Sequence, residues 1–132
     1  MIPCDVLKEV NDMLRSIPSE DEIRVVVWDM KSDIASGPDS FPASFYKDAW
    51  DIVKGSLINV VKDLFHGGNI PTVPCATRIF LVPKFKDPQS LNQFRPISLC
   101  NVPYNILVGV LNKILSPLLP SLVDEEQHGF VK

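Results

Sequence analysis

Four cations stand close together in the second half of this 132-residue sequence. Arg78, Lys84, Lys86 and Arg95 are set against Asp87 alone, giving +3 over 18 residues. An arginine fork can grip phosphate oxygens in bidentate fashion, and a lysine supplies a point charge. If the chain between them folds back on itself, the cations become a candidate phosphate clamp. The alternative is a solvated hairpin whose lysines guard its edge against pairing. Other chemistry is poorly supported. Glu20, Asp21 and Glu22 fit the positive end of a helix dipole better than a metal site. Cys4, Cys75 and Cys100 are odd in number and form no CxxC pair, which speaks against a disulfide framework or a zinc site and for a reducing compartment. His66 and His128 are far apart, with no Cys or His at ligand spacing.

The elements that must position these residues can be read from periodicity. Val6, Leu7, Val10, Met13 and Leu14 predict an amphipathic helix over residues 5–15. Ser19 and Glu22 form a capping box ahead of a second helix that buries Ile23, Val26, Val27 and Met30. Residues 31–42 read as a loop. Phe45, Ala49, Ile52, Val53, Leu57, Val60, Val61 and Leu64 predict one long helix over 43–65, closed by His66-Gly67-Gly68-Asn69. The apolar run 78–82 ends at Pro83 and suits a strand, with 94–98 as its hairpin partner. Asn101 can cap a further helix with Pro103 in its first turn and an apolar face of Ile106, Leu107, Val110, Leu111 and Ile114. Pro117 ends that helix. An apolar turn over 118–123 and a polar segment beginning Asp124-Glu125-Glu126 follow.

Composition bounds the possibilities. The length allows one domain or a piece of one, and 45% hydrophobic residues with 22% charged argue for a packed core. A net charge of −3 excludes a basic tail that binds nucleic acid by bulk charge. That charge is uneven: residues 1–72 carry −5 and residues 73–132 carry +2. The stretch 102–123 has the length of a membrane span and a single charge, Lys113. However, Pro103, Pro117 and Pro120 interrupt it, so a core helix is expected instead. The N-terminus shows no signal-peptide pattern, and an intracellular protein is expected, with nucleus or cytoplasm left open.

Three runs of residues occur in a telling order. They are Ser36-Gly37-Pro38-Asp39-Ser40-Phe41-Pro42, then Phe80-Leu81-Val82-Pro83-Lys84, then Phe94-Arg95-Pro96-Ile97-Ser98-Leu99-Cys100-Asn101-Val102 with Tyr104. This series resembles the reverse transcriptases of LINE-type (non-LTR) retrotransposons, above all the plant type. The family pattern runs GPDGFP, a long helix, L-I-P-K, then F-R-P-I-S-L-C-N-V-x-Y-K. The closing Gln127-His128-Gly129-Phe130-Val131-Lys132 resembles the family's Q-x-x-F-V-x-G-R block up to its Gly-Arg. The likeness extends from about residue 17 to residue 132.

The resemblance implies an α+β fold, mainly helical with a short antiparallel β-hairpin, forming part of the fingers subdomain of a right-hand polymerase. It implies one partial reverse transcriptase domain in three parts: an acidic helical part (1–72), a basic hairpin (73–101), and an apolar helix with a truncated end (102–132). By motif position, Lys84 and Arg95 would hold the incoming nucleotide triphosphate, with Arg78 joining them. Gly37, Pro38 and Asp39 match a template-side loop; the plainer reading is a tight turn. Phe41 and Phe94 could stack on bases or anchor the core. Implied partners are an RNA template, a DNA primer and deoxynucleoside triphosphates, with no membrane. Self-association through apolar residues 103–123 is also expected.

The departures from the family are informative. Its catalytic aspartate motifs, which hold Mg²⁺ in the full-length enzyme, are absent, so neither catalytic residues nor a bound metal are expected in this fragment. Asn105, Gly109 and Ile114 stand where the family has Lys, Lys and Arg, and Gly109 costs roughly 1 kcal/mol against Ala inside a helix. Ser40 replaces a Gly, which is strained if the turn needs positive φ. These changes read as drift. The expected function is a fragment of an RNA-directed DNA polymerase, inactive alone. The alternative is a residual nucleotide-binding, nucleic-acid-binding or protein-interaction module.

Overall fold

A computed structural model describes residues 4–69 and 76–119. In chain order they form α1 (Cys4–Arg15), α2 (Glu20–Asp29), α3 (Ala43–Asp48), α4 (Trp50–Phe65), β1 (Thr77–Pro83), a 3-10 turn (Leu91–Gln93), β2 (Phe94–Cys100) and α5 (Val102–Leu115). The acidic run 124–126, the closing block 127–132, Cys75 and His128 lie outside the described residues, as does most of the expected apolar turn.

α2 begins where its capping box places it. The Ser19 hydroxyl accepts the Glu22 amide at 3.3 Å, and the Glu22 carboxylate accepts the Ser19 amide at 2.7 Å. Both orphan donors are thereby satisfied. The bonds from the Ser19 amide and then its hydroxyl favour the ionised carboxylate and hold Glu22 below its usual range. The helix buries Ile23, Val26 and Val27, with Met30 packed at the margin of the core.

The segment 43–65 departs from the expected single helix. It breaks at Ala49 (φ −96°, ψ 17°) into α3 and α4. Two apolar stripes compete along this segment. The break resolves them in favour of Ala43, Tyr46 and Trp50, which are buried, over Phe45 and Ile52. Ile52, expected inside, is 84% exposed, whereas Trp50 is only 6% exposed. Burying the indole removes more apolar surface than burying an isoleucine, and it gains an edge-on contact with Trp28, the ring centroids 5.4 Å apart. At the far end of α4, Gly67 takes φ 78°, and the Gly68 amide donates to the Asp63 carbonyl at 2.8 Å. This is the glycine closure expected of the His66-Gly67-Gly68 sequence.

α5 completes the core with Val102, Ile106, Leu107 and Val110, packed chiefly on α2. Gly109, expected to be only a cost inside the helix, lies at a close helix–helix contact. A Cβ at this position would stand 2.6 Å from Val26 Cγ1, so the glycine is what lets α2 and α5 approach. Lys113 adds a 2.6 Å ion pair with Asp29 between the same two helices. No helix among the described residues is long and apolar enough to cross a membrane.

The hairpin stands apart from this core. β1 and β2 pair antiparallel from Thr77↔Cys100 to Pro83↔Phe94, and no residue of either strand belongs to the buried cluster. Ile79, Phe80, Leu81, Val82 and Ile97 are all exposed. A two-stranded ribbon is marginal in water without support, so its attachment to the helices matters.

Candidate functional site

The strand register decides which cations meet. Residues opposite one another in an antiparallel pair share a face, and side chains alternate along each strand. Arg95 lies opposite Val82 and Leu99 opposite Arg78, so Arg78, Phe80, Val82, Arg95, Ile97 and Leu99 occupy one face. The Lys84 amide donates to the Gln93 carbonyl at 2.8 Å, which carries the pairing one residue further and puts Lys84 on the same face as Arg95. The Lys84 ammonium donates to the Asn92 carbonyl at 2.8 Å, so this cation is held at the tip with donors to spare. Arg78 is six residues back along β1, about 20 Å at the rise of a strand. The structure therefore brings Lys84 and Arg95 together and leaves Arg78 at the root. There its guanidinium donates to the Pro38 carbonyl at 3.4 Å.

Charge at this face is uncompensated. The ion pairs among the described residues are Lys54 with Glu20 and Asp51, and Lys113 with Asp29. None involves Arg78, Lys84, Lys86 or Arg95. These four side chains are exposed, and no carboxylate lies within ion-pair distance of them among the described residues.

The second predicted group, Gly37, Pro38 and Asp39, forms a turn closed by the Ser40 amide donating to the Gly37 carbonyl at 3.1 Å. The Asp39 carboxylate accepts the Phe41 amide at 3.1 Å. Ser40 takes φ 63°, so the turn does require the positive φ that a glycine would meet without strain. The turn is seated on Asn101. The Asn101 Oδ1 accepts the Asp39 amide at 3.1 Å, and a Cβ on Gly37 would run into Asn101 N and Oδ1. Asn101 was expected to cap α5 with its side chain, but it makes no such bond, because its oxygen is committed to the turn. Buried Tyr46 adjoins this cluster. Burial, and secondly the Asp39 carboxylate, push its hydroxyl up to about 12.

Asn101 and Tyr46 were missed as members of this site. The sequence holds no spacing that links residue 39 to residue 101. For Asn101 the only hint was that Gly37-Pro38-Asp39 and the run containing Asn101 belong to the same ordered series; for Tyr46 there was none. Phe41 is half-exposed and lies against Phe45, the centroids 4.6 Å apart, as a surface anchor of α3.

Among the described residues no three His, Cys, Asp or Glu side chains converge. A largely apolar cleft of about 430 Å³ opens between α1, α2 and α5, lined by Met13, Pro18, Val25, Val110, Ile114 and Pro117 among others. None of the hairpin cations reaches it.

No family model matches the chain. Over 107 residues, 81% of its length, the chain is 23% identical to the transposon TX1 uncharacterized 149 kDa protein of Xenopus laevis. This similarity points to a transposon-related origin for the sequence. The matched part is 8% of that protein's length, so the chain corresponds to a small piece of it.

Proposed function

We propose that this chain is part of the fingers of a LINE-type reverse transcriptase, and that its hairpin binds the triphosphate of a nucleotide through Lys84 and Arg95. The observation that carries the reading is the placement of these two cations on one face of the hairpin tip with no ion-pair partner among the described residues. A triphosphate carries several negative charges, and its transfer is catalysed by positioning and charge neutralisation. The similarity to a transposon protein and the order of the motifs support the same reading. Arg78, held at the root, adds to the positive field along the face rather than to the grip at the tip. The turn at Gly37, Pro38 and Asp39 would approach the template through its outer backbone.

We assign binding and no chemistry to this chain, because its sequence lacks the family's aspartate motifs that hold the metals of a polymerase. Fluorescence titration with a labelled deoxynucleoside triphosphate, at low and raised salt, tests the reading. Salt-sensitive binding is expected, weakened at least about ten-fold in Lys84→Ala/Arg95→Ala by the loss of two charged hydrogen-bond donors. Binding that ignores salt, or survives the double substitution, overturns it. Primer extension by the purified chain on an RNA template with Mg²⁺ would overturn the absence of chemistry.

A further inference from the structure

The hairpin lies outside the core, so a few contacts at its root must set the direction in which its cations point. Those contacts converge on one buried polar residue and the turn it holds. Asn101 stands between β2 and α5 and is 2% exposed. Its backbone N–H donates to the Ala76 carbonyl at 3.2 Å, extending the hairpin pairing below Thr77↔Cys100. Its Oδ1 takes the Asp39 amide across a separation of 62 residues. The backbone of Gly37 is pressed against the same residue, and Arg78 reaches from β1 to the Pro38 carbonyl of the same turn.

The choice of side chain fits this role better than it fits helix capping. Ser, Thr or Asp would cap α5 about as well. Here the acceptor is buried, and the turn it binds already carries the Asp39 carboxylate, whose field reaches Tyr46. A second carboxylate at position 101 would face that charge from a buried position. A neutral amide oxygen supplies the hydrogen bond without the repulsion.

We infer that Asn101 is the positioning residue of the hairpin, clamping the 37–40 turn to the β2–α5 junction so that Lys84 and Arg95 are held in one orientation relative to the helices. This deepens the proposed function, because what the clamp positions is the proposed triphosphate grip.

Hydrogen exchange on the whole chain, read by mass spectrometry, tests it in wild type, Asn101→Ala, Gly37→Ala and the double variant. Loss of a buried hydrogen bond should speed exchange across 77–83 and 94–100 about ten-fold in either single variant. Exchange in α2 and α4 should stay unchanged, and the double variant should be no faster than either single one, since both break the same contact. Gly37→Ala changes a loop residue and leaves the helical core untouched, so it answers the question even if Asn101→Ala folds poorly. Unchanged hairpin exchange, equal acceleration in α2 and α4, or additive effects each overturn the clamp. Triphosphate titration of the same variants separates the two ideas. Failure of the wild type to bind removes the proposed grip and leaves the clamp to the exchange result. A wild type that binds, with variants that loosen the hairpin yet bind equally well, overturns the positioning role.

Discussion

Gly55 and Gly109 both lie inside helices, and they should answer alanine with opposite signs. At either position alanine gains about 1 kcal/mol of helix propensity. On the exposed face of α4, a Cβ at Gly55 meets nothing within 4 Å, so Gly55→Ala should stabilise the protein by about 1 kcal/mol. At Gly109 the new Cβ would stand 2.6 Å from Val26 Cγ1. Carbon atoms rest at about 3.5–4.0 Å, so α2 must retreat by about 1 Å. Val26 cannot swing aside: it is 5% exposed, and a β-branched side chain in a helix has one strongly preferred rotamer. Overpacking of this kind costs about 1–3 kcal/mol. Set against the propensity gain, Gly109→Ala should be destabilising by as much as about 2 kcal/mol. Urea unfolding followed by circular dichroism reads both values directly. In a Val26→Ala background the lost methyls make room for the Cβ, and Gly109→Ala should become stabilising. If Gly109→Ala stabilises the wild type as much as Gly55→Ala does, the account of the α2–α5 contact is wrong.

Ser40→Gly should stabilise the chain by less than about 1 kcal/mol, as relief of the left-handed backbone at φ 63° is partly offset by a looser unfolded state; a loss of stability in urea would show that Ser40 earns its place through its side chain. Tyr46 should make the fold alkali-sensitive. Its folded pKa is raised from 10.0 to about 12, so the stability it contributes is present below pH 10 and is lost as pH climbs through that window. Tyr46→Phe should flatten the fall in unfolding free energy between those values, and an unchanged slope would assign the sensitivity elsewhere.

Elements with local determinants were legible in the sequence. The Ser19–Glu22 box, the glycine closure after α4 and the two strands each depend on residues within a few positions of one another. The break at Ala49 was not legible, because Phe45/Ile52 and Tyr46/Trp50 are both spaced for a helix, and only the partner Trp28 on another element favours the second pair. Gly109 looked like a cost because propensity is a property of one helix, whereas its reason lies in a side chain 83 positions away. For the candidate site, the excess of cations was visible from composition. Which of them share an end of the hairpin depended on register, and the seat of the 37–40 turn depended on a contact that no periodicity encodes.

The bond from Asp39 to Asn101 also has a consequence for the order of folding. Joining residues separated by 62 positions costs on the order of 4 kcal/mol of chain entropy if the intervening chain is slack. The intervening segment includes α3 and α4, and ordering those helices first shortens the slack. Before α5 leaves the ribosome, α2 also lacks the surface that covers Val26. During synthesis, α2 therefore awaits its packing partner and the 37–40 turn awaits its seat until Asn101 and α5 have emerged. Under the proposed clamp, Lys84 and Arg95 acquire a common orientation only once Asn101 has seated the 37–40 turn.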